Sequence, residues 1–486
     1  MAALIRFALT QRVLTLLLAL LIAGLGVMAA LKLPIDAFPD VSPTQVKVIV
    51  KVPGMTPEEV ESRVTAPIEV ELLGIPSQTM LRSVVKYALT DITIDFEEGT
   101  DIYWARQQVT ERLARAWGVL PANAEGGIAP MTTPLGEMFM FTIEGDQLTL
   151  SERRNLLDWV IRPALRTVPG VADVNALGGM VRSFEVIPDG IRLSSRGVKI
   201  DDLIEALKKN NRNDGAGRLS DGEEALLVRS EGRIKDLEDV RRIVVVERGG
   251  VPITVGDVAE VRIGALTRYG AVTRSGTGET VEGLVLSLRG ANAREVVRGV
   301  ERKLKDIQPA LPPEVSIQVF YNRSLLVDRA TGTIIHALIE ATLLVVMLLL
   351  LFLGDFRAAL TVALILPLVA LFTFLLMRTF GLTANLMSLG GLAIAIGKLV
   401  DPAVVVVENI TAHLAAQPEK SRLPRLHVIY RAMREVMAPV ISGSLIIGIV
   451  FVPLLSLEGL EGKLFRPVAL TNVFAMSGSM LFSLLV

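Results

Sequence analysis

The chain contains no cysteine and only three histidines, His336, His413 and His427, which are scattered without a ligand spacing. Disulfides and cysteine metal sites are therefore excluded, and the scattered histidines argue against a histidine-rich metal site. Aromatic residues make up only 5% of the sequence, which speaks against a cleft lined with aromatic rings. Lysine plus arginine (50) nearly balance aspartate plus glutamate (51), so there is no electrostatic case for nucleic acid as a partner. The sequence has no phosphate-cradling glycine loop, nucleophile elbow or paired zinc-ligand motif, leaving ATP-driven pumping and hydrolysis without support.

What the chain has instead is long apolar runs. The first, from Val13 to Leu31, follows Arg6 and Arg12. It is longer than the roughly 7–15 residues of a signal-peptide core and reads as an uncleaved span. Five more lie at about 334–353, 359–377, 387–407, 437–456 and 468–486. Each approaches the ~20 residues that cross about 30 Å of hydrocarbon. The expected architecture is a membrane α-helical bundle of six spans, the last incomplete, with one large polar domain between the first two. The divisions expected are 1–32 (N-terminus and first span), 33–333 (polar domain) and 334–486 (spans two to six). Arg6 and Arg12, Arg357, and the cluster Lys420, Arg422, Arg425, Arg431 and Arg434 fall on one side by counting crossings. Loops rich in Lys and Arg stay cytoplasmic, which places the large domain outside, in the periplasm of a Gram-negative cell.

The polar domain alternates strand and helix patterns. Gln45–Val52 alternates polar and apolar residues as a half-buried strand does. Thr56–Leu73 reads as a helix, with Pro57 in its first turn and Glu58, Glu59 and Glu61 favouring its N-terminal dipole. Paired strands over Ser83–Phe96 and a helix over Asp101–Trp117 complete one cycle. A second cycle is expected over Met138–Glu144, Ser151–Val168, Val171–Ala176 and Ser183–Pro188, and a third over Glu282–Leu288, Ala293–Ile307 and Val315–Tyr321. This is the rhythm of split βαβ, ferredoxin-like subdomains. An insertion near 190–265 begins with a helix over Asp201–Asn210.

The stretch Asn385 to Glu408 carries the chemistry. It is long and apolar enough to span a bilayer, yet holds Lys398 and Asp401 near its middle and Glu408 at its end. A charge at the bilayer centre costs about 2.5–3.5 kcal/mol on insertion scales, so such residues mark ion or proton paths. Lys398 and Asp401 are three apart, on one helical face, and are expected to pair. Pro402 removes a helix hydrogen bond and is expected to kink the span. With no ATP motif, the drive must come from an ion gradient.

LPIDAFPDVSPTQVKVIVKVPGMTPEEVE, FEEGTDIYWARQQVTERL, NLMSLGGLAIAIG, VDPAVVVVENI and EGLEGKLFRPVALT, in this order, resemble the resistance-nodulation-division transporters, and more narrowly their heavy-metal efflux branch. The resemblance implies a trimeric proton antiporter of the bacterial inner membrane that joins a periplasmic adaptor and an outer-membrane channel. It also implies a porter domain of ferredoxin-like subdomains with a docking insertion, no cofactor, and a heavy-metal ion as substrate. Asp401 matches the family's proton carrier, with Lys398 and Glu408 as relay candidates beside it. Where the divalent-metal type has an acidic residue six positions before that Asp, this chain has Ala395, which is similar to the copper/silver type. Met387 matches a methionine of copper/silver exporters thought to relay metal, and soft monovalent metals prefer thioether ligands. Leu399 and Val406 stand where further sulfur would be expected. Met131, Met138 and Met140 lie close in sequence, and Met138 and Met140, two apart on a strand, are expected to share a face. Asp36, Asp40 and Asp101 lie within the matched motifs, Asp101 as a helix cap.

The family pattern is two parallel six-span halves, of which the resemblance covers the first: either the chain is a fragment or truncated product, or a separate chain supplies the second half. Lys398 and Pro402 depart from the apolar residue and the alanine usual there. Lys398 would hold Asp401 ionised and blunt its proton cycle. The alternatives are an exporter of organic substrates and a non-transporting remnant that only binds partner subunits.

Overall fold

The computed structural model describes residues 2–133, 135–145, 147–221, 224–230, 232–353, 356–416 and 424–485. Lys420 and Arg422 of the basic loop lie outside the described residues. Among the described residues, six helices are long and apolar enough to cross a membrane: Arg12–Lys32, Arg323–Leu348, Phe356–Thr379, Leu386–Ala415, Arg425–Leu455 and Gly459–Leu485. Several begin well before their apolar runs, the second at Arg323 and the sixth at Gly459. Hydropathy marks only the hydrocarbon-depth part of a helix, whereas its backbone ladder continues into polar flanks.

Between the first two spans the chain builds two sheets of the same topology. In the first, β1 (Thr44–Lys51), β2 (Gln78–Lys86), β3 (Leu89–Phe96) and β4 (Glu125–Ile128) run in the order β2-β3-β1-β4, antiparallel throughout. Alternation along β1 turns Val46, Val48 and Val50 inward, against Val60, Val64 and Ile68 of one helix and Ala105, Val109 and Leu113 of the other. The first helix starts in a capping box: the Thr56 hydroxyl accepts from Glu59 N, and Glu59 Oε2 accepts from Thr56 N at 2.9 Å. Asp101 caps the second helix by accepting from Tyr103 N at 2.8 Å.

The second sheet corrects the expected count of cycles. β5 (Glu137–Glu144) and β6 (Val171–Gly178) belong with β14 (Glu279–Ser287) and β15 (Ser316–Asn322), in the order β15-β5-β14-β6. The second and third cycles are thus halves of one subdomain, split between β6 and β14. The strand expected over Ser183–Pro188 does not join that sheet. As β7 (Arg182–Pro188) it pairs along its length with β12 (Ala259–Ala265) and forms the neck of the insertion. The insertion therefore starts about its neck at Arg182 rather than near 190. Its body has its own core of Leu193, Leu203, Val240, Val255 and Val258. Two hairpins complete it, β8 (Asp214–Asp221) with β9 (Glu224–Ser230) and β10 (Val244–Arg248) with β11 (Val251–Thr254), before the short β13 (Val272–Thr273) returns to β14. Alternation reveals that a segment is a strand but not which strand it pairs with. That choice was hidden from the sequence.

The two subdomains share a further detail. The first helix of each contains a single π-turn, at Glu61–Thr65 and at Leu157–Ile161, just ahead of Pro67 and Pro163. A proline ring clashes with the carbonyl four residues back, and the widened turn relieves that clash.

The segment leaving the first span stitches membrane and soluble parts together. Ile35 forms a bridge with Ala384 in the loop between spans three and four, where Asp36 N donates to Ala384 O at 3.1 Å. Asp36 Oδ1 accepts from Arg323 Nη2 at 3.0 Å and Nε at 3.3 Å. Arg323 opens the second span, is only 5% exposed, and donates through Nη1 to Leu135 O at 2.7 Å. Asp40 Oδ2 accepts from Arg289 at 2.9 Å, and Ser42 O accepts from both Arg289 (3.1 Å) and Lys463 Nζ of the sixth helix (2.9 Å). Asp36 and Asp40 are therefore structural clamps.

Glycine lets the spans approach closely. A Cβ on Gly26 would stand 2.6 Å from Leu371 O, and one on Gly391 2.4 Å from Thr471 Oγ1. Spans one and three, and four and six, are in backbone contact at these points.

Two outcomes follow. Asp36→Ala strands the buried Arg323 guanidinium, a loss of about 3 kcal/mol, and is expected to lower the thermal midpoint of the detergent-solubilised chain well beyond Asp101→Ala, which loses only a cap. Equal effects would mean that the clamp is dispensable. On β14, burial and then the neighbouring Glu137 carboxylate raise the Glu282 carboxyl above its ordinary value. The folded state then holds that proton over a pH range where the unfolded state has lost it, so stability falls as pH rises from the ordinary carboxylate value through the raised one. Glu282→Gln is expected to raise the thermal midpoint at about pH 7, with the gain vanishing toward about pH 4. A gain independent of pH would refute the assignment.

Candidate functional site

The fourth span, Leu386–Ala415, begins in a fully satisfied cap. Asn385 Oδ1 accepts from Ser388 N at 2.9 Å, Ser388 Oγ accepts from Asn385 N at 2.9 Å, and both residues are buried. The cap fixes where the helix starts and hence which residues face which way. Leu392, Ala395, Ile396, Leu399, Ala403 and Val406 recur at helical spacing and are buried, most of them against spans one, three and six. The opposite stripe runs through Ile394, Lys398, Asp401, Val405 and Glu408, all exposed. The three ionisable residues singled out from the sequence thus share the face of the span that the described helices leave uncovered.

Lys398 and Asp401 open onto a groove of about 260 Å³ between spans four, five and six, with Pro402, Pro439, Gly443 and Met476 among its walls. Ser479 forms part of the same wall and ties the sixth span to the fourth by donating to Leu399 O at 2.7 Å. The expected Lys398–Asp401 ion pair is not formed. Lys398 Nζ instead lies over the ring of Phe451, 5.9 Å from its centroid, beyond the end of the fifth span's main helix. The reason is geometric. Helical side chains lean toward the helix N-terminus, so a lysine three residues ahead of an aspartate reaches away from it, the less favourable order for such a pair. Phe451 offers the ammonium an aromatic face instead.

Pro402 sits inside a helix that runs unbroken from Leu386 to Ala415. It has no N–H to offer the carbonyl of Lys398 four residues earlier, and Pro439 repeats the defect on the facing helix. The carbonyls of Lys398 and Glu435 thereby lose their usual helical donors.

Glu408 lies outside the groove, about two turns beyond Asp401, and forms no ion pair among the described residues. Met387 is half-buried in the span's first turn. No cluster of three or more His, Cys, Asp or Glu suited to a metal ion exists among the described residues. Met138 and Met140 do not present a common face. Met138 sits in a β-bulge, between Glu137 opposite Leu286 and Phe139 opposite Val285, and turns into the core with Phe139 and Phe141, while Met140 is half-buried. Met138 lines a small cavity of about 70 Å³ shared with Asp36 and Asp40.

Sequence reasoning missed a polar link at the far end of the same span. Asn409 Nδ2 donates to Ala432 O at 2.8 Å, and His413 Nε2 lies 3.2 Å from Glu435 Oε2, joining spans four and five. The available signal was spacing: Asn409 and His413 are one helical turn apart, as are Ala432 and Glu435.

Comparison with known proteins places this geometry in a family. The AcrB/AcrD/AcrF family matches residues 4–486. The chain is 42% identical over 493 aligned positions to the cation efflux system protein CzcA of Alcaligenes sp. (strain CT14), covering 99% of this chain and 46% of that protein. It is 36% identical to the cation efflux system protein CusA of Escherichia coli (strain K12), covering 99% of this chain and 47% of that one. A crystal structure of a heavy metal efflux pump superposes with a TM-score of 0.90 at 34% identity, over 99% of this chain and 47% of the pump. The chain thus spans about half the length of the relatives it matches. With a matched region running from residue 4 to 486, and with six membrane-length helices and two subdomains of one topology among its described residues, the chain belongs to the AcrB/AcrD/AcrF family.

Proposed function

We propose that the chain is the N-terminal half of a proton-driven exporter of heavy-metal cations. The observation that carries the reading is the uncovered stripe of the fourth span, where Asp401 and Lys398 share a groove without pairing. A carboxylate at that depth gains or loses charge with each proton it takes up, and so changes which neighbours it can hold. A helix whose partners change with protonation is the switch that couples a gradient to movement. The exposed face is completed by a second six-span half, supplied by a separate chain or a continuation. Assembly follows the family pattern: a homotrimer in the inner membrane, the α+β domain in the periplasm, and contacts to an adaptor and an outer-membrane channel. Arg12, Arg357 and Arg425, at the starts of spans one, three and five, support this orientation.

The cargo we infer is monovalent copper or silver. Ala395, 1% exposed and packed into the bundle, occupies the position where an acidic residue would suit a divalent ion, and Met387 offers a soft ligand at the opposite end from the basic loops. A second reading, a divalent cargo, is favoured by the higher identity to a relative named a cobalt-zinc-cadmium resistance protein, 41% against 36% for CusA.

The test is metal tolerance in an export-deficient host carrying this chain together with a C-terminal half from the family, across silver, copper, zinc and cobalt. The expected result is tolerance to silver or copper that Asp401→Asn abolishes and that Met387→Leu reduces for these metals alone. Tolerance to zinc or cobalt only would transfer the cargo to the divalent class. Absence of tolerance to every metal, with the protein inserted in the membrane, would leave a non-transporting subunit.

A further inference from the structure

A second cavity, about 730 Å³, opens at the end of the bundle where spans one, three and five begin. Its size lies within the ~300–1,000 Å³ typical of small-molecule sites. Its interior is apolar, with walls such as Ile365, Val406 and Ile429. The hydroxyls that reach it are spent on nearby backbone carbonyls: Thr15 donates to Gln11 O, Thr361 to Arg357 O, Thr411 to Glu408 O and Ser483 to Met480 O. The charged residues among its walls are Arg12, Arg357 and Arg425, one from each of three different spans.

These arginines stand in an unusual electrostatic setting. Each lies in the first turn of its helix, and no acidic residue stands in that turn, although Asp355 directly precedes the third span's helix in the sequence. Arg12 and Arg425 form no ion pair among the described residues. Three guanidiniums therefore stand at the mouth of an apolar cavity, that of Arg12 also donating through Nε to Leu9 O at 3.3 Å at the end of the short N-terminal helix. This is the complement of a ligand with an anionic head and a hydrocarbon tail. Arginine binds phosphate bidentately, and basic pockets between membrane helices are known to hold anionic lipid headgroups.

We propose that this cavity is a binding site for an anionic phospholipid, its phosphate held by Arg12 and Arg425 beside Arg357 and one acyl chain entering between spans one, three and five. The assignment requires only that the helices lie in a bilayer, and so stands apart from the reading of transport and cargo. The lipid would fasten the short N-terminal helix Ala2–Thr10, whose Ile5 is fully buried against the fourth and fifth spans, to the rest of the bundle.

The test is native mass spectrometry of the full chain released from detergent after exposure to equal amounts of phosphatidylglycerol and phosphatidylcholine. We expect phosphatidylglycerol to be retained at least fivefold over phosphatidylcholine. The preference should disappear in Arg12→Gln/Arg425→Gln and persist in Arg12→Lys/Arg425→Lys, which keeps the charge and controls for folding. Val407→Phe, which fills the cavity wall, should reduce retention without touching an arginine. Equal retention of the two lipids would overturn the proposal, as would an undiminished preference in the glutamine variant. Displacement of the lipid by inorganic phosphate at similar concentration would also overturn it, by showing a free-anion site that makes no use of the acyl chain.

Discussion

A single buried guanidinium organises the junction on which the rest of the molecule depends. Arg323 begins the helix that returns the chain to the membrane, and its partner Asp36 ends the excursion out of the first span. Both crossings are thus tied at one point, and the third contact of Arg323, to Leu135 O, fixes the second subdomain to the same point. Around it, Asp40, Arg289, Ser42 and Lys463 extend the network to the sixth span. Taking a guanidinium out of water is costly unless its hydrogen bonds are made elsewhere, so the geometry of the junction is strongly specified. The membrane helices and the paired sheets consequently meet in a fixed relation rather than through a slack linker.

The fourth span shows how a helix can serve packing and charge at once. One side is built from small and branched apolar residues that let the sixth span approach to backbone contact at Gly391. The other side keeps Lys398, Asp401 and Glu408 clear of that packing. Nothing in the apolar interior has to accommodate their charge, and the desolvation cost is deferred to whatever covers the stripe.

Much of this was legible in the sequence, and the pattern of failures is physical. Alternation in β1, the helix start at Thr56 and the cap at Asp101 are local signals, and each appears in the structure at its place. The shared face of Lys398 and Asp401 was equally visible from helical spacing, whereas the place of Glu408 in the same exposed stripe came from the structure. Pairing was not visible. Whether Ser183–Pro188 joins the sheet before it or a strand some seventy residues later depends on long-range closure, which no local pattern records. The Lys398–Asp401 contact failed for a related reason. Spacing says that two residues share a face, but the lean of helical side chains and the presence of Phe451 decide what the lysine reaches. The bulge that turns Met138 inward is a one-residue irregularity that period-two reasoning cannot anticipate.

The neck formed by β7 and β12 has a consequence beyond topology. Because the strands entering and leaving the insertion are paired from Arg182 with Ala265 to Pro188 with Ala259, the chain returns to the place it left. The host sheet experiences the insertion as though it were a tight turn, whatever its length. Closing a longer loop costs little more than closing a short one, so the appended body can grow, shrink or be exchanged over evolutionary time while the register of β6 against β14 stays untouched. Such a graft point separates two mechanical roles in one polypeptide: a sheet whose register is set by its own core, and an outer module with a core of its own that the sheet does not have to accommodate.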